Sequence, residues 1–440
     1  MYFLFSYFLD RSDFLNLLLL YTGLFYGAWK IIQKTTFNFW VWAQLGITAR
    51  VLLLLAIPNL SQDFYRFIWD GRLLVLGINP YVLTPEQLAN GSHIAQNLIS
   101  PDTISNAKIL IQGMGDLNAS HYSNYPPLNQ LFFALAAYFA KNSILGSVIA
   151  LRMIVIGADI GILYFGKKLL ERLRLPVENI FWYFLNPFII IELTGNLHFE
   201  GVMLFFVVWA LYLLDTKKWV QSAITLGVSV SVKLLPLLFL PLFYKYFNPK
   251  GLFDKGFLKM KKFYWVTLTT IIICFAPFTS KTFIFNYSTT IGLWFQNFEF
   301  NASVYYIIRW IGYQTVGWNI IAQVGLILPV VVFICVVLLS LIRKYNTIQN
   351  LITGMLLAVS IYLLLATTVH PWYIATAVLL SVFTKYKYAL VWSFMICFSY
   401  SAYALEGYQE NLLMVAMEYG VVISFAMWEL LVRNYIKKES

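Results

Sequence analysis

The chain has 440 residues, of which 60% are hydrophobic, 18% aromatic and only 12% charged, with a net charge of +11 and a mean hydropathy of +0.71. Apolar runs able to cross the roughly 30 Å hydrocarbon core of a bilayer recur along its length, which excludes a soluble domain and indicates a polytopic, all-α membrane protein. Lys and Arg gather in short clusters between those runs, the charge bias that sets membrane topology, so the positive balance does not point to nucleic acid.

In chain order, Asp10 and Asp13 precede the first apolar run and no small-residue cleavage site follows it, so no cleavable signal peptide is expected. Runs at about 12–33 and 41–59 flank Lys30 and Lys34, which puts that turn in the cytoplasm and the following segment outside. Residues 60–142 then form a large extracytoplasmic loop with interfacial or re-entrant helices. Within it, the apolar run at 127–141 is too short to span comfortably at 1.5 Å per residue. The middle of the loop, from Asn90 to Asn106, is rich in Ser, Asn and Gly and is expected to be mobile. Crossings follow at 143–166, 178–192 and 197–214. Trp219–Tyr246 is basic at both ends, which favours a hairpin of two half-length passes with Lys233 near its tip, Pro236 and Pro241 breaking the second. One helix over the same stretch is the alternative. A pass at 262–280, a second extracytoplasmic loop at 281–316, and passes at 318–341, 350–369, 373–384, 388–405 and 410–432 complete the chain. Arg433, Lys437 and Lys438 are left inside. The expectation is a single domain, 1–440, with about 13 transmembrane helices, several of them short.

The cysteines, Cys274, Cys335 and Cys397, lie far apart inside apolar runs and suggest neither disulfides nor a metal set. Asn118, Asn286 and Asn301 each begin a glycosylation triplet, a pattern common by chance.

The path gathers the unusual polar residues on one side. Asp63, Arg66, Asp70 and Arg72 fall just past an apolar span, where each charge costs a few kcal/mol to insert. Asp63, Arg66 and Asp70 share a helical stripe about 60° wide, suited to face a cavity. Tyr125, Glu192, Asn196, His198, Glu200, Lys233, His370, Trp372, Tyr373 and Glu406 join them on the outer face. A competing reading makes the first segment an interfacial helix whose Arg and Trp anchor at the headgroups. A metal site of Asp63, Asp70 and His198 is conceivable but lacks the paired ligand spacing such sites use.

Seven motifs carry a family resemblance: Asp63-x-Tyr65-Arg66-x-x-Trp69-Asp70-Gly71-Arg72, Gly77-x-Asn79-Pro80-Tyr81, Tyr125-Pro126-Pro127-Leu128, Asn186-Pro187, Gly195-Asn196-x-His198, Lys233-x-x-Pro236 and His370-Pro371-Trp372-Tyr373. Together they resemble the bacterial GT-C-fold membrane glycosyltransferases, and most of all the polyprenyl-phosphate-mannose-dependent mannosyltransferases. Glu200 departs from the Asp expected in many relatives.

The resemblance implies a GT-C-like helical bundle and inverting transfer of a hexose, mannose above others. The donor would be a polyprenyl-phosphate sugar and the acceptor a hydroxyl on a glycolipid, glycan or protein. The reaction would occur at the extracytoplasmic face, in a bacterial inner membrane. Asp63 maps onto the family's catalytic acid. Asp70, Arg66, Glu192 and Glu200 are expected to support and orient it, and Arg72, Lys233, His198 and His370 to bind the donor phosphate. Tyr65, Trp69, Tyr81, Tyr125, Asn196, Trp372 and Tyr373 are expected to line the substrate. No cofactor is expected, a divalent metal being possible but not favoured, and because the leaving group is already a phosphate anion no strong general acid is required. The rival from another class is a secondary transporter or lipid flippase, which also uses broken helices and buried charge. The absence of two matching halves and the crowding of charge on one face argue against it.

Overall fold

The computed structural model describes residues 1–34, 36–91, 103–249, 256–404 and 408–432. The centre of the first loop (92–102), Glu406, and the basic residues Arg433, Lys437 and Lys438 lie outside the described residues.

Among the described residues the fold is all-helical, its one β element being an isolated parallel bridge between Phe300 and Thr368. Of the described helices five are long and apolar enough to cross a membrane, within Phe14–Gln33, Ile144–Arg172, Ile321–Ile342, Ile348–Leu365 and Leu412–Leu431. Two further pairs qualify if each is one broken span: Pro187–Gly195 with Glu200–Asp215, bent by 115°, and Phe257–Phe278 with Lys281–Trp294, bent by 112°. The described residues thus carry five to seven candidate spans by length and composition. The larger expected number also counted short apolar helices, such as Trp219–Val232, Leu235–Phe247 and Pro371–Val382, while Pro127–Ala140 is the short non-crossing helix that was expected.

Two expected elements differ in extent. The run at 41–59 is helical only over Phe39–Val51, about 20 Å at 1.5 Å per residue, before Leu52–Leu55 turns out of the helix. The stretch 281–316, expected as a loop, holds the helices Lys281–Gln296 and Val304–Thr315. Trp219–Tyr246 does break at Lys233, whose backbone is extended (φ −146°, ψ 139°), between Trp219–Val232 and the 3-10 turn Leu235–Phe239.

Three local features place the elements that matter for the site. Gly71 lets the Asp63–Val75 helix press on Pro127–Ala140, since a Cβ at that position would lie 2.2 Å from the Phe133 carbonyl oxygen. Arg152, buried in the long Ile144–Arg172 helix, donates to the carbonyls of Leu54, Ala56, Thr194 and Gly195 at 2.6–2.9 Å. It thereby satisfies carbonyls that the end of one helix and the turn after another leave without intrahelical partners. Arg50 pairs with Asp159 at 2.7 Å, both fully buried, and ties the short third helix to the long one.

Candidate active site

A cavity of about 540 Å³ opens where helix ends converge. Its polar lining includes Asp63, Asn118, Tyr125, Lys233, Thr367, Thr368, His370 and Tyr373. Each of these sits at a helix terminus, in a break or in a turn, because interior helix positions bind their backbone groups internally and present side chains only sideways. Asp63 opens its helix, where the partial positive charge of the free N–H groups favours a carboxylate.

Asp63 lines the cavity, is partly exposed to it, and among the described residues has no cation within 4 Å. Burial raises its carboxyl above the usual carboxylate range, while the charge of Lys233 and the Asn118 and Tyr125 side chains act in the opposite direction. Lys233 Nζ pairs with Glu200 at 2.8 Å and keeps about a quarter of its side-chain surface open. Glu200 Oε2 is buried with no hydrogen-bond partner.

In one wall His370 and Trp372 stack, with His198 behind them on Trp372, the ring centroids of successive pairs 4.6 Å and 3.6 Å apart. Burial and Lys233 lower the His370 imidazole to about 3, so it is neutral at physiological pH. Its expected part in binding the donor phosphate is corrected accordingly: it meets a ligand as an uncharged hydrogen-bonding ring and not as a cation. His198 does not line the cavity, and its Nε2 is 3.9 Å from the Glu192 carboxylate, whose other oxygen accepts from the Tyr400 hydroxyl at 2.6 Å. Glu192 therefore reaches the cavity only through Tyr400, which lines it.

The expected stripe of Asp63, Arg66 and Asp70 divides. Asp63 faces the cavity, whereas Arg66 and Asp70 are turned into the protein, because that side of the helix packs on Pro127–Ala140 and on the strap at 118–125. Asp70 accepts from Arg66 Nε at 2.8 Å, Ser123 Oγ at 2.6 Å and Gln130 Nε2 at 2.9 Å. Arg66 Nη1 also donates to the carbonyls of Asn118 and His121. This pair fixes the strap that carries Asn118 and Tyr125 to the cavity. Arg72 is likewise away from the cavity, since its guanidinium donates to the Ser105 carbonyl, to Asn106 Oδ1 and to the Asn142 carbonyl. The aromatic motif residues also divide. Tyr125, Trp372 and Tyr373 line the cavity. Trp69 is buried, Tyr65 packs against Phe64 and over Gly113, and Tyr81 donates to the Tyr125 carbonyl at 2.5 Å. Asn196 Oδ1 accepts from the Leu60 N–H at 3.1 Å, steadying the approach to Asp63.

Sequence reasoning missed several contributors. Arg11, Trp294, Phe298, Phe300, Tyr400 and Tyr403 line the cavity. Phe300 is brought in by the bridge, its N–H donating to the Thr367 carbonyl and its carbonyl accepting from the Val369 N–H at 2.8 Å. Of the three glycosylation triplets, Asn286 and Asn301 are buried, Asn286 donating to the Tyr81 carbonyl. Buried amides of this kind are not acceptors.

Comparison with known proteins bears on the same region. The chain is 22% identical over 182 residues to alpha-(1->6)-mannopyranosyltransferase A of Mycobacterium tuberculosis. It is 27% identical over 185 residues to alpha-(1->6)-mannopyranosyltransferase B of Corynebacterium glutamicum. Each match covers 41% of this chain but only 32% and 26% of the respective relative. Residues 10–247, which hold Asp63, Tyr125, Glu200 and Lys233, match the family model for the N-terminal domain of alpha-(1->6)-mannopyranosyltransferases. That match extends over more than half of the chain and accords with the resemblance carried by its motifs, and the chain belongs to this family.

Proposed function

We propose that the protein transfers a mannosyl residue from a polyprenyl-phosphate-linked donor to an acceptor hydroxyl at the extracytoplasmic face of the membrane, with Asp63 as the base. The observation that carries this reading is a carboxylate of raised proton affinity facing a cavity shared with Lys233, His370 and several aromatic rings. In the proposed step the acceptor oxygen attacks the anomeric carbon and loses its proton to the Asp63 carboxylate. The bond from that carbon to the phosphate oxygen breaks, and the polyprenyl phosphate leaves with the electron pair. Among the described lining residues Asp63 is the only carboxylate, which favours one displacement with inversion over a double displacement using two acids. Lys233 lies where it can meet the charge that develops on the phosphate. The Tyr373 ring and the part of Trp372 left uncovered by the histidine stack offer apolar surface to the sugar. Because the leaving group departs as a phosphate anion, the step requires no strong general acid, and we assign the cation it does require to the protein's own side chains rather than to a metal.

The acceptor class is a glycolipid, a glycan or a protein. A transporter would need its polar groups to open alternately to both sides, whereas the lining residues here cluster at helix ends around one cavity. Incubating the purified protein with polyprenyl-phosphate mannose and a panel of acceptors, with and without chelator, tests the reading. Mannosylated product with wild type, insensitive to chelator and absent with Asp63→Asn, is expected. Undiminished turnover by a folded Asp63→Asn protein would remove Asp63 as the base.

A further inference from the structure

The cavity has a second cation that none of the motifs supplies. Arg11 belongs to the short segment between the Tyr2–Phe8 helix and the first long helix, yet its side chain lines the same cavity as Asp63. The guanidinium lies over the Tyr403 ring, 4.0 Å from its centroid. Its one hydrogen bond among the described residues runs from Nη1 to the Leu60 carbonyl at 3.4 Å. No carboxylate of a described residue comes within 4 Å of it, whereas the charge of Lys233 is matched by Glu200 at 2.8 Å.

The geometry points to Arg11 as an anion-binding residue of this cavity, reading the phosphate of a lipid-phosphate ligand. A ring beneath the guanidinium fixes its plane and leaves its edge donors free, the arrangement that suits two-pronged recognition of phosphate oxygens. A ligand anion would share Lys233 with Glu200, whereas Arg11 offers a positive charge that no described carboxylate within 4 Å offsets. The position also suits the proposed chemistry. Leu60, which Arg11 touches, is three residues from Asp63, a backbone reach of at most about 11 Å. One ligand can therefore present its phosphate to Arg11 and its reacting carbon near Asp63. This inference rests on the donor class named above, but binding can be measured without any transfer taking place.

The test uses the full-length purified protein and three probes: a polyprenyl monophosphate, inorganic phosphate and the uncharged polyprenol. Arg11→Gln is expected to weaken polyprenyl phosphate binding about tenfold or more, the range of a lost charge-assisted hydrogen bond, with Arg11→Lys recovering part of it. Polyprenol binding should be unchanged in both variants. A parallel loss for inorganic phosphate would assign Arg11 to the phosphate anion whatever carries it, and a loss confined to polyprenyl phosphate would assign it to the lipid headgroup. Wild-type affinity for polyprenyl phosphate in Arg11→Gln, or an equal loss for polyprenol, would overturn the inference. A protein that binds phosphate through Arg11 but transfers no sugar would overturn the proposed reaction alone.

Discussion

Two of the groups of charge inside this helical bundle, those around Asp159 and Asp63, are built differently. Around Asp159 the partners close on one another. Its carboxylate accepts from Arg50 at 2.7 Å and from the Tyr183 and Thr194 hydroxyls, while Arg50 also donates to the Gly46 and Phe184 carbonyls and lies over the Phe184 ring. Around Asp63 the groups stay open. That carboxylate has no cation within 4 Å among the described residues, and Lys233 and Arg11 both face the cavity. Burying charge is costly in either place; pairing offsets that cost for Asp159 in the first and for Glu200 in the second, but not for Asp63. Closure marks charge that holds the fold together, and openness onto a cavity marks charge kept for a ligand.

Variants can break or sharpen that contrast. The largest effect on folding is expected from Asp159→Ala, which strands the Arg50 guanidinium in the interior. A loss of about 3–5 kcal/mol is expected, read as a lower melting temperature and poor recovery of folded protein in detergent. A stable Asp159→Ala protein would show that the closed cluster is not what holds these helices together. Lys233→Ala is expected to act mainly on the open cluster, raising KM for the donor about tenfold, since it removes one charge-assisted contact. It also leaves Glu200 without its cation, so a modest loss of thermal stability should accompany it. Unchanged donor KM would take Lys233 out of the site.

The pH dependence is a subtler test. A base works when ionised, and Asp63 protonates at higher pH than an ordinary carboxylate because burial disfavours its charge. The rate should therefore fall on acidification, beginning at a pH above that of a solvent-exposed aspartate. His370, lowered to about 3, should add no second inflection near neutrality. A profile flat down to pH 4, or one with a step near 6.5 that His370→Gln abolishes, would contradict these assignments.

Much of this site was legible from residues alone. Asp63, Tyr125, Lys233, His370, Trp372 and Tyr373 do share one cavity, and the chain does break at Lys233. The signal there was a charge or a Pro pair at the end of an apolar run, a local and chemically expensive feature. Which side of a helix faces the cavity was not legible. Asp63, Arg66 and Asp70 lie within one stripe, yet the strap at 118–125 covers the last two and draws them into its own hydrogen bonds. Contacts between distant segments were out of reach for the same reason. Arg11 reaches Tyr403 across almost the whole chain, and Phe300 enters through a bridge to Thr368. Arg50, Asp159 and Arg152 interrupt apolar runs as charged singletons, and only the packed structure reveals the carbonyls and partners that hold them.

The most direct test sets Asp63→Asn beside Asp159→Asn, with transfer rate and melting temperature measured on both proteins. The account predicts that Asp63→Asn melts like wild type and loses about a hundredfold to ten-thousandfold in rate, as removal of a general base does. Asp159→Asn, in contrast, should melt earlier, while the fraction that stays folded turns over normally. Near wild-type turnover by Asp63→Asn, or a fall in its melting temperature as large as that of Asp159→Asn, would contradict the account.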